Sequence, residues 1–372
     1  MAQQARDRFW FNLHNWVGLK LSIFMSFILI TGTLAVFSNE IDWVLNPEMR
    51  ATQAVAQPDW GAALDTLRAE YPHVAPISLD RPTGSWFAVQ AVLTTPWEEI
   101  GRLWFDPATG KLNGSTAWFN VQRFFRMTHR HLMLPTPIGV PIVTALAIPL
   151  LISMVSGLII YKKFWLGWLR WPRTRRKARI WLGDLHRLLG LWSVWFVFLI
   201  SVTSIWYFIE MTGGAAPRFP ASPPATERLV ALPESLNGAM LNQMVNAARA
   251  ELPGLDVKRI VLPGNESAKV IVQGDLSAVL VRPRANAVAF DPLTGNLLGS
   301  YRGEDLGLHQ RISEAADPLH FGYFGGYWTK VIWFLFGCAM CTLSISGCVI
   351  YAKRLLPKQP NNSKPTLTSR PI

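Results

Sequence analysis

Four long apolar runs alternate with stretches in which polar and apolar residues are mixed. A membrane-spanning helix needs about 20 apolar residues, and each run has that length with almost no charge. Lys20, near the start of the first run, is placed so that its long side chain can reach back to the membrane interface. The pattern therefore predicts an α-helical membrane protein with four transmembrane (TM) helices. The runs are approximately Trp16–Phe37, Ile138–Tyr161, Leu188–Ile209 and Tyr327–Tyr351.

Charge is distributed unevenly between the segments that connect these runs. The chain is 50% hydrophobic with a net charge of +12. Sixteen Lys and Arg but only two acidic residues lie in the N-terminus, the loop 162–187 and the tail from Lys353, whereas 38–137 and 210–326 each contain more acidic than basic residues. The positive-inside rule places the basic segments in the cytoplasm. The first run lacks a cleavage site and is expected to remain as an uncleaved anchor.

This orientation predicts eight segments, with both termini in the cytoplasm and two domains outside. They are 1–37 (cytoplasmic N-terminus and TM1), 38–137 (outward domain 1), 138–161 (TM2), 162–187 (basic cytoplasmic loop), 188–209 (TM3), 210–326 (outward domain 2), 327–351 (TM4) and 352–372 (cytoplasmic tail).

The basic run RWPRTRRKAR at 170–179 is interpreted as an orientation signal that contacts membrane lipid, not as a nucleic-acid site. The three cysteines all lie in the last predicted helix. Their CAMC motif is interpreted as small residues that permit close helix packing. Disulfides are therefore not expected in the outward domains.

The second half of the chain repeats motifs of the first half in the same order. LHNWVGL at 13–19 returns as LHRLLGL at 185–191, FDPATGKL at 105–112 returns as FDPLTGNL at 290–297, and SGLIIYKK at 156–163 returns as SGCVIYAK at 346–353. Such ordered matches predict two copies of one unit. Both copies start in the cytoplasm, so the predicted architecture is a four-TM pseudo-two-fold bundle of two parallel repeats.

Each outward domain is predicted to be a small α+β unit. Helical periodicity is present at 58–72 and Met240–Glu251, and the Asp-Pro-x-Thr-Gly motifs are typical of turns that need a glycine with positive φ. A Pro/Gly-rich linker is expected at 213–227. Strands are predicted at 85–95, 99–107, Lys258–Leu262, Ala268–Gln273, Ala278–Arg282 and Ala287–Phe290.

The Leu-His-x-x-x-Gly motif leading into a span, and the Ser-Gly…Ile-Tyr motif closing the next, resemble the PepSY-associated transmembrane family. The FDPxTG strand and turn behind a short helix resembles a PepSY domain. The resemblance covers almost the whole chain. The family includes inner-membrane di-haem reductases of ferric siderophores of the ferrioxamine type. It implies haem b, two per chain, in a bacterial inner-membrane protein of iron uptake with periplasmic PepSY-like domains.

Six of the seven histidines cluster at the predicted membrane boundaries, where such residues are by default functional. His14 and His186 occupy equivalent positions of the two repeats on the cytoplasmic side. A pseudo-two-fold axis brings them to one depth from opposite sides, as a flat cofactor with two axial positions requires. We name His14 and His186 the inner pair. An interfacial role without a ligand is the alternative.

On the periplasmic side His129 and His320 lie at nearly equivalent distances before the repeated Ser-Gly motif, and we name them the outer pair. His131 and His309 are further candidates, either as substitute ligands or as residues that face a substrate. His73 is interpreted as a loop residue. The resemblance and the pairing of the imidazoles lead us to expect that His14, His186, His129 and His320 hold haem iron. A zinc site is the competing interpretation and is disfavoured, because no spacing typical of such a site is present.

One haem near each face of the membrane gives a path for electrons. The chain has no recognisable flavin or nicotinamide motif, so the donor is expected to be a cytoplasmic reductant or a quinol. The resemblance implies a ferric siderophore as acceptor and hence a ferric-siderophore reductase, an oxidoreductase that releases Fe²⁺ in the periplasm. The alternative is a haem-free, membrane-anchored PepSY-type protein with a binding or regulatory role.

Overall fold

The computed structural model describes residues 2–74, 76–93, 101–174, 177–217, 232–264 and 268–355. Parts of several predicted segments lie outside the described residues. They are most of the linker 213–227 and of the tail 352–372, two arginines of the basic loop at 175–176, and the ends of the strands predicted at 85–95 and 99–107.

Helices provide most of the described structure. The α-helices are α1 (Ala2–Lys20), α2 (Ser22–Ala35), α3 (Ser38–Leu45), α4 (Trp60–Glu70), α5 (Val121–His131), α6 (Thr136–Ala145), α7 (Ala147–Ile160), α8 (Ala178–Trp192), α9 (Val194–Ile209), α10 (Gly238–Glu251), α11 (Leu308–Phe321) and α12 (Gly326–Leu355).

Within the described ranges, three helical segments are long and apolar enough to cross a membrane. They are Thr136–Ile160, Val194–Gly214 and Gly326–Lys353, and the pair Gln3–Lys20 and Ser22–Ala35 is a fourth if it forms one span. The chain is therefore a multi-pass membrane protein.

The first predicted span is bent by 64° instead of running straight. The break lies between α1 and α2, where the Ser22 hydroxyl donates to the Leu19 carbonyl oxygen at 2.8 Å. A serine that bonds back to its own helix in this way commonly accompanies a bend.

The described chain divides into two compact units. Of the described residues, those within 2–26, 152–194 and 339–355 form the first unit, and those within 27–151 and 195–338 form the second. The first unit contains the inner pair. The second contains the outer pair and all of the β-structure, so each histidine pair lies wholly within one unit.

The second unit contains one antiparallel sheet of eight strands, in the order β4-β3-β2-β1-β5-β6-β7-β8. The two predicted outward segments each contribute four strands, and they join where Leu79 of β1 pairs with Ile260 of β5. The two α+β segments are thus joined edge to edge by backbone hydrogen bonds. The strands are β1 (Pro76–Asp80), β2 (Val89–Leu93), β3 (Arg102–Phe105), β4 (Leu112–Thr116), β5 (Asp256–Val261), β6 (Val270–Asp275), β7 (Ala287–Phe290) and β8 (Leu297–Tyr301).

One hydrophobic core includes residues from both halves of this sheet and from the helices packed on it. Leu64 of α4 and Leu241 of α10 are completely buried there, with Phe105 and Phe290 from equivalent strands. Burying a side chain of this size contributes about 1.5–3 kcal/mol, so the shared core binds the two segments to each other.

The repeated Asp-Pro-x-Thr-Gly turns have the expected geometry, since Gly110 and Gly295 have φ of 67° and 75°. The strand predicted over Ala278–Arg282 is wrong. Leu280 there has a positive φ of 57°, and Pro283 begins a short 3₁₀ helix. An apolar run next to a proline was mistaken for a strand.

Candidate functional site

The inner pair is formed by His14 of α1 and His186 of α8. Their ring centroids lie 6.5 Å apart and the ring planes are at 86° to each other. Both side chains are half-buried. The two residues are far apart in sequence, so the fold of the first unit brings their rings together.

The repeated Ser-Gly motif fixes the orientation of both inner rings. His14 Nδ1 lies 3.0 Å from the Ser153 carbonyl oxygen and 3.1 Å from Ser156 Oγ. His186 Nδ1 lies 2.9 Å from Ser346 Oγ. Gly157, which follows the first of these serines, leaves room for the His14 ring, since a methyl group there would lie 3.3 Å from His14 Cε1. At Gly347 the corresponding distance to His186 Cε1 is 3.5 Å, an ordinary contact.

The outer pair is formed by His129 of α5 and His320 of α11. Their ring centroids lie 6.2 Å apart, with the planes at 38°. His129 Nδ1 lies 2.9 Å from the Ile28 carbonyl oxygen, and His320 Nδ1 lies 2.9 Å from Thr203 Oγ1. Oxygen atoms of α2 and α9 thus orient the two outer rings through hydrogen bonds to Nδ1.

Gly32 of α2 allows His129 to approach that helix closely. A methyl group at position 32 would lie 2.5 Å from His129 Cε1 and 2.7 Å from Nδ1. Such distances are well inside van der Waals contact, so the outer site requires a residue without a side chain at this position.

The bonding partners determine which ring nitrogen carries the proton. A carbonyl oxygen only accepts, so His14 and His129 donate through Nδ1. The hydroxyls opposite His186 and His320 use their own protons elsewhere: Ser346 donates to the Leu343 carbonyl oxygen, and Thr203 donates to that of Leu199. Each neutral ring is therefore protonated at Nδ1 and carries its lone pair on Nε2.

The rings of His186, His129 and His320, which lie outside the membrane-spanning segments, are neutral near pH 7. Burial and, to a smaller extent, the neighbouring His14 lower the pKa of His186 to about 4. Burial and, to a smaller extent, the neighbouring His129 lower the pKa of His320 to about 4. Burial also lowers the pKa of His129. Neutral imidazole is the form that binds a metal.

Both ring separations are compatible with a metal ion between the rings. Two imidazoles that share one metal through Nε2, on opposite sides of it, have ring centres roughly 6.2 Å apart, because each metal–nitrogen bond is about 2 Å and the nitrogen lies about 1.1 Å from the ring centre. The observed values are 6.5 Å and 6.2 Å. Metal-bound histidines also usually donate their other ring N–H to a carbonyl or hydroxyl oxygen. The residues present therefore fit a cofactor with two axial imidazoles, such as haem.

Across the described ranges, no three His, Cys, Asp or Glu side chains lie together where they could share a metal ion.

The other candidate histidines are placed differently. His131 is buried, and its Nδ1 atom has no hydrogen-bond partner among the described residues. His309 Nε2 lies 3.1 Å from the Gly214 carbonyl oxygen, and its ring packs edge-on against Trp206 at 5.4 Å. Neither ring is paired with a second histidine in the way that His129 is paired with His320.

A network of charged and aromatic groups lies next to His320. Tyr207 packs edge-on against the His320 ring at 5.4 Å and donates its hydroxyl proton to Asp317 at 2.6 Å. Asp317 forms an ion pair with Arg282 at 2.9 Å, and Arg282 also pairs with the buried Glu314 at 2.7 Å. The histidine is thus held on one side by Thr203 and on another by a tyrosine with a fixed hydroxyl.

Sequence reasoning found the histidines but missed the groups that orient them. Ser156 and Ser346 belong to the repeated Ser-Gly motif, whose sequence does not show that its serine bonds a histidine. Thr31 and Thr203 stand 17 residues after His14 and His186 respectively. Of these two threonines, Thr203 bonds a histidine, whereas Thr31 bonds to carbonyl oxygens of its own helix.

The four paired histidines all lie within 11–354, which match the family model described as PepSY-associated TM region. No curated protein matches the chain in a sequence comparison. Because the family match extends over nearly the whole chain, this protein belongs to the PepSY-associated TM region family.

Proposed function

We propose that this protein is a haem b protein of the bacterial inner membrane that delivers electrons to a ferric siderophore in the periplasm. The observation that carries the proposal is the pairing of the histidines. Two pairs of rings have the separation that one shared metal requires, and all four rings have Nδ1 bonded to oxygen.

His14 and His186 would hold one haem, and His129 and His320 would hold a second. A haem with two imidazole ligands supplies one-electron transfer. The protein's part is to hold each ring in one orientation and to keep its proton on Nδ1. Both tasks are performed by serine, threonine and backbone oxygens that do not titrate near neutral pH.

The proposed orientation follows from the distribution of charge. With the basic segments 162–187 and 352–372 in the cytoplasm, the inner pair is near the electron donor, which is a cytoplasmic reductant or a membrane quinol. The outer pair then serves the periplasmic acceptor. Reducing Fe³⁺ to Fe²⁺ weakens its binding to the hard oxygen ligands of a siderophore, so iron is released for uptake.

The test begins with the haem content of the purified full chain from haem-replete cells. A pyridine haemochrome assay is expected to give two haem b per chain for the wild type, one for His14→Ala and one for His320→Ala. His73→Ala is the matched control and is expected to retain two. A ferrozine assay then measures Fe²⁺ released from a ferric siderophore by the reduced protein.

A colourless preparation from haem-replete cells contradicts the proposal. The protein would then be a membrane-anchored PepSY-type binding protein, and the histidine pairs would need another explanation. Two haems in every single histidine variant would contradict the ligand assignment alone.

A further inference from the structure

The helix that carries His129 has positive charge concentrated on one face. Arg123, Arg126 and Arg130 follow each other on α5 at intervals of three and four residues, so they are neighbours on the helix surface. α5 contains no acidic residue. None of the three arginines forms an ion pair with any residue that the structure describes.

The acidic residues nearest to the outer pair are already engaged. The two acids of α11, Glu314 and Asp317, form ion pairs with Arg282, and Glu314 also pairs with Arg284. Two carboxylates and two guanidinium groups thus form a neutral cluster. The remaining oxygen of Asp317 accepts the proton of Tyr207, so this cluster has no carboxylate oxygen left over for α5.

Asp42 of α3, which lies at the start of α5, is engaged by backbone groups. Both carboxylate oxygens of Asp42 accept backbone N–H groups, from Val121 at 2.9 Å and Gln122 at 2.8 Å. Arg123 is occupied differently, because its guanidinium stacks over the Trp118 ring at 3.6 Å. Arg126 and Arg130, on the helix of His129, therefore have no ion-pair partner among the described residues, and the Asp317 carboxylate attracts the Arg126 guanidinium only from beyond ion-pair distance.

Arg126 contacts a sequence neighbour of the outer pair. It lies one helical turn before His129, and its Cζ atom is 5.7 Å from the centre of the Phe321 ring, next in sequence to His320. Arg126 and Arg130 are both exposed. Two exposed guanidinium groups therefore lie on the same helix as His129.

Guanidinium groups bind carboxylates through two parallel hydrogen bonds, and an anion also relieves the repulsion between adjacent arginines. We propose that Arg126 and Arg130 bind a carboxylate of an incoming anionic ferric chelate, so that negatively charged chelates are the substrate class of the outer site. This inference rests on the proposed function. Porphyrin carboxylates have the same chemistry, and the experiment separates the two sources.

The test measures binding of redox-inert gallium chelates to the purified full chain by isothermal titration calorimetry. Gallium citrate is the anionic probe and the gallium complex of desferrioxamine B is the cationic one. Arg126→Gln is expected to weaken gallium citrate binding by at least about tenfold, with no such loss for the cationic probe. Arg130→Gln gives an independent second measurement. Arg302→Gln, which removes an exposed arginine elsewhere in the same unit, is expected to leave both affinities unchanged.

Equal affinities of wild type and both variants for gallium citrate overturn the inference. Loss of one haem in Arg126→Gln with unchanged gallium citrate binding also overturns it, because the guanidinium then holds a porphyrin carboxylate. Gallium binding requires no electron transfer. A haem-free protein whose gallium citrate binding depends on Arg126 would refute the reductase and leave the anion site standing.

Discussion

Replacing Gly32 with alanine tests whether the outer pair depends on the position of the His129 ring. A methyl group at residue 32 would lie 2.5 Å from His129 Cε1, 2.7 Å from Nδ1 and 3.1 Å from Nε2. Carbon atoms in contact are about 3.5–4.0 Å apart, so the ring must retreat by about 1 Å. Metal sites tolerate deviations of about 0.2 Å in ligand distance. The variant is therefore expected to lose the outer haem.

The fold is expected to survive this change. Alanine is favoured over glycine inside a helix by about 1 kcal/mol, which offsets part of an overpacking cost of about 1–3 kcal/mol. The haem assay should give one haem b per chain for Gly32→Ala, with a melting temperature near that of the wild type. The inner haem should remain, because His14 and His186 belong to the other unit.

Three further glycines provide a graded set of controls. A methyl group at Gly18 meets no atom within 4 Å, and one at Gly347 meets His186 Cε1 at 3.5 Å, an ordinary contact. Both alanine variants should keep two haems. At Gly157 the distance to His14 Cε1 is 3.3 Å, so a partial loss of the inner haem is expected. The reasoning is refuted if Gly32→Ala retains both haems, or if Gly18→Ala loses as much as Gly32→Ala does.

Two predictions concern the groups that support the site and the sheet. Thr203→Val removes the hydroxyl that accepts the His320 Nδ1 proton and should weaken outer haem binding about 10- to 100-fold. Thr31→Val is the matched control, because among the described residues the Thr31 hydroxyl bonds only to its own helix. Equal losses of haem affinity in the two variants would contradict the role assigned to Thr203. Burial alone would raise the pKa of Asp106, but five N–H and O–H donors hold it below 3.8. Asp106→Asn should cost about 1–3 kcal/mol at pH 7, as a lower melting temperature. That difference should shrink as the pH falls below about 4 and the wild-type carboxylate is protonated, and a constant difference down to about pH 3 would contradict it.

The sequence identified features that depend on residue type and periodicity. Apolar runs of about 20 residues predict spans because the bilayer fixes their length, and the glycines of the FDPxTG turns predict positive φ at Gly110 and Gly295. The histidines could be paired from their positions in the two halves. The repeat organisation and the membrane orientation remain predictions.

Contacts between distant segments could not be read in this way. The pairing of β1 with β5 depends on two segments about 180 residues apart, and β1 itself is a five-residue strand that begins with Pro76. The support of His129 by the Ile28 carbonyl has no side-chain signature at all. Gly32 looked like a small residue inside an apolar helix, and only the position of the His129 ring shows why a glycine stands there.

Electron paramagnetic resonance of the oxidised, purified chain tests most directly whether each histidine pair holds one haem. In a ferric haem with two imidazole ligands, the angle between the ring planes sets the anisotropy of the low-spin signal. The inner rings are at 86° and the outer rings at 38°, so two distinct low-spin signals of equal intensity are expected, the inner one more anisotropic. His14→Ala should remove the more anisotropic signal, and His320→Ala the other. A sample with no haem signal, or with signals that both histidine variants leave intact, would contradict the account.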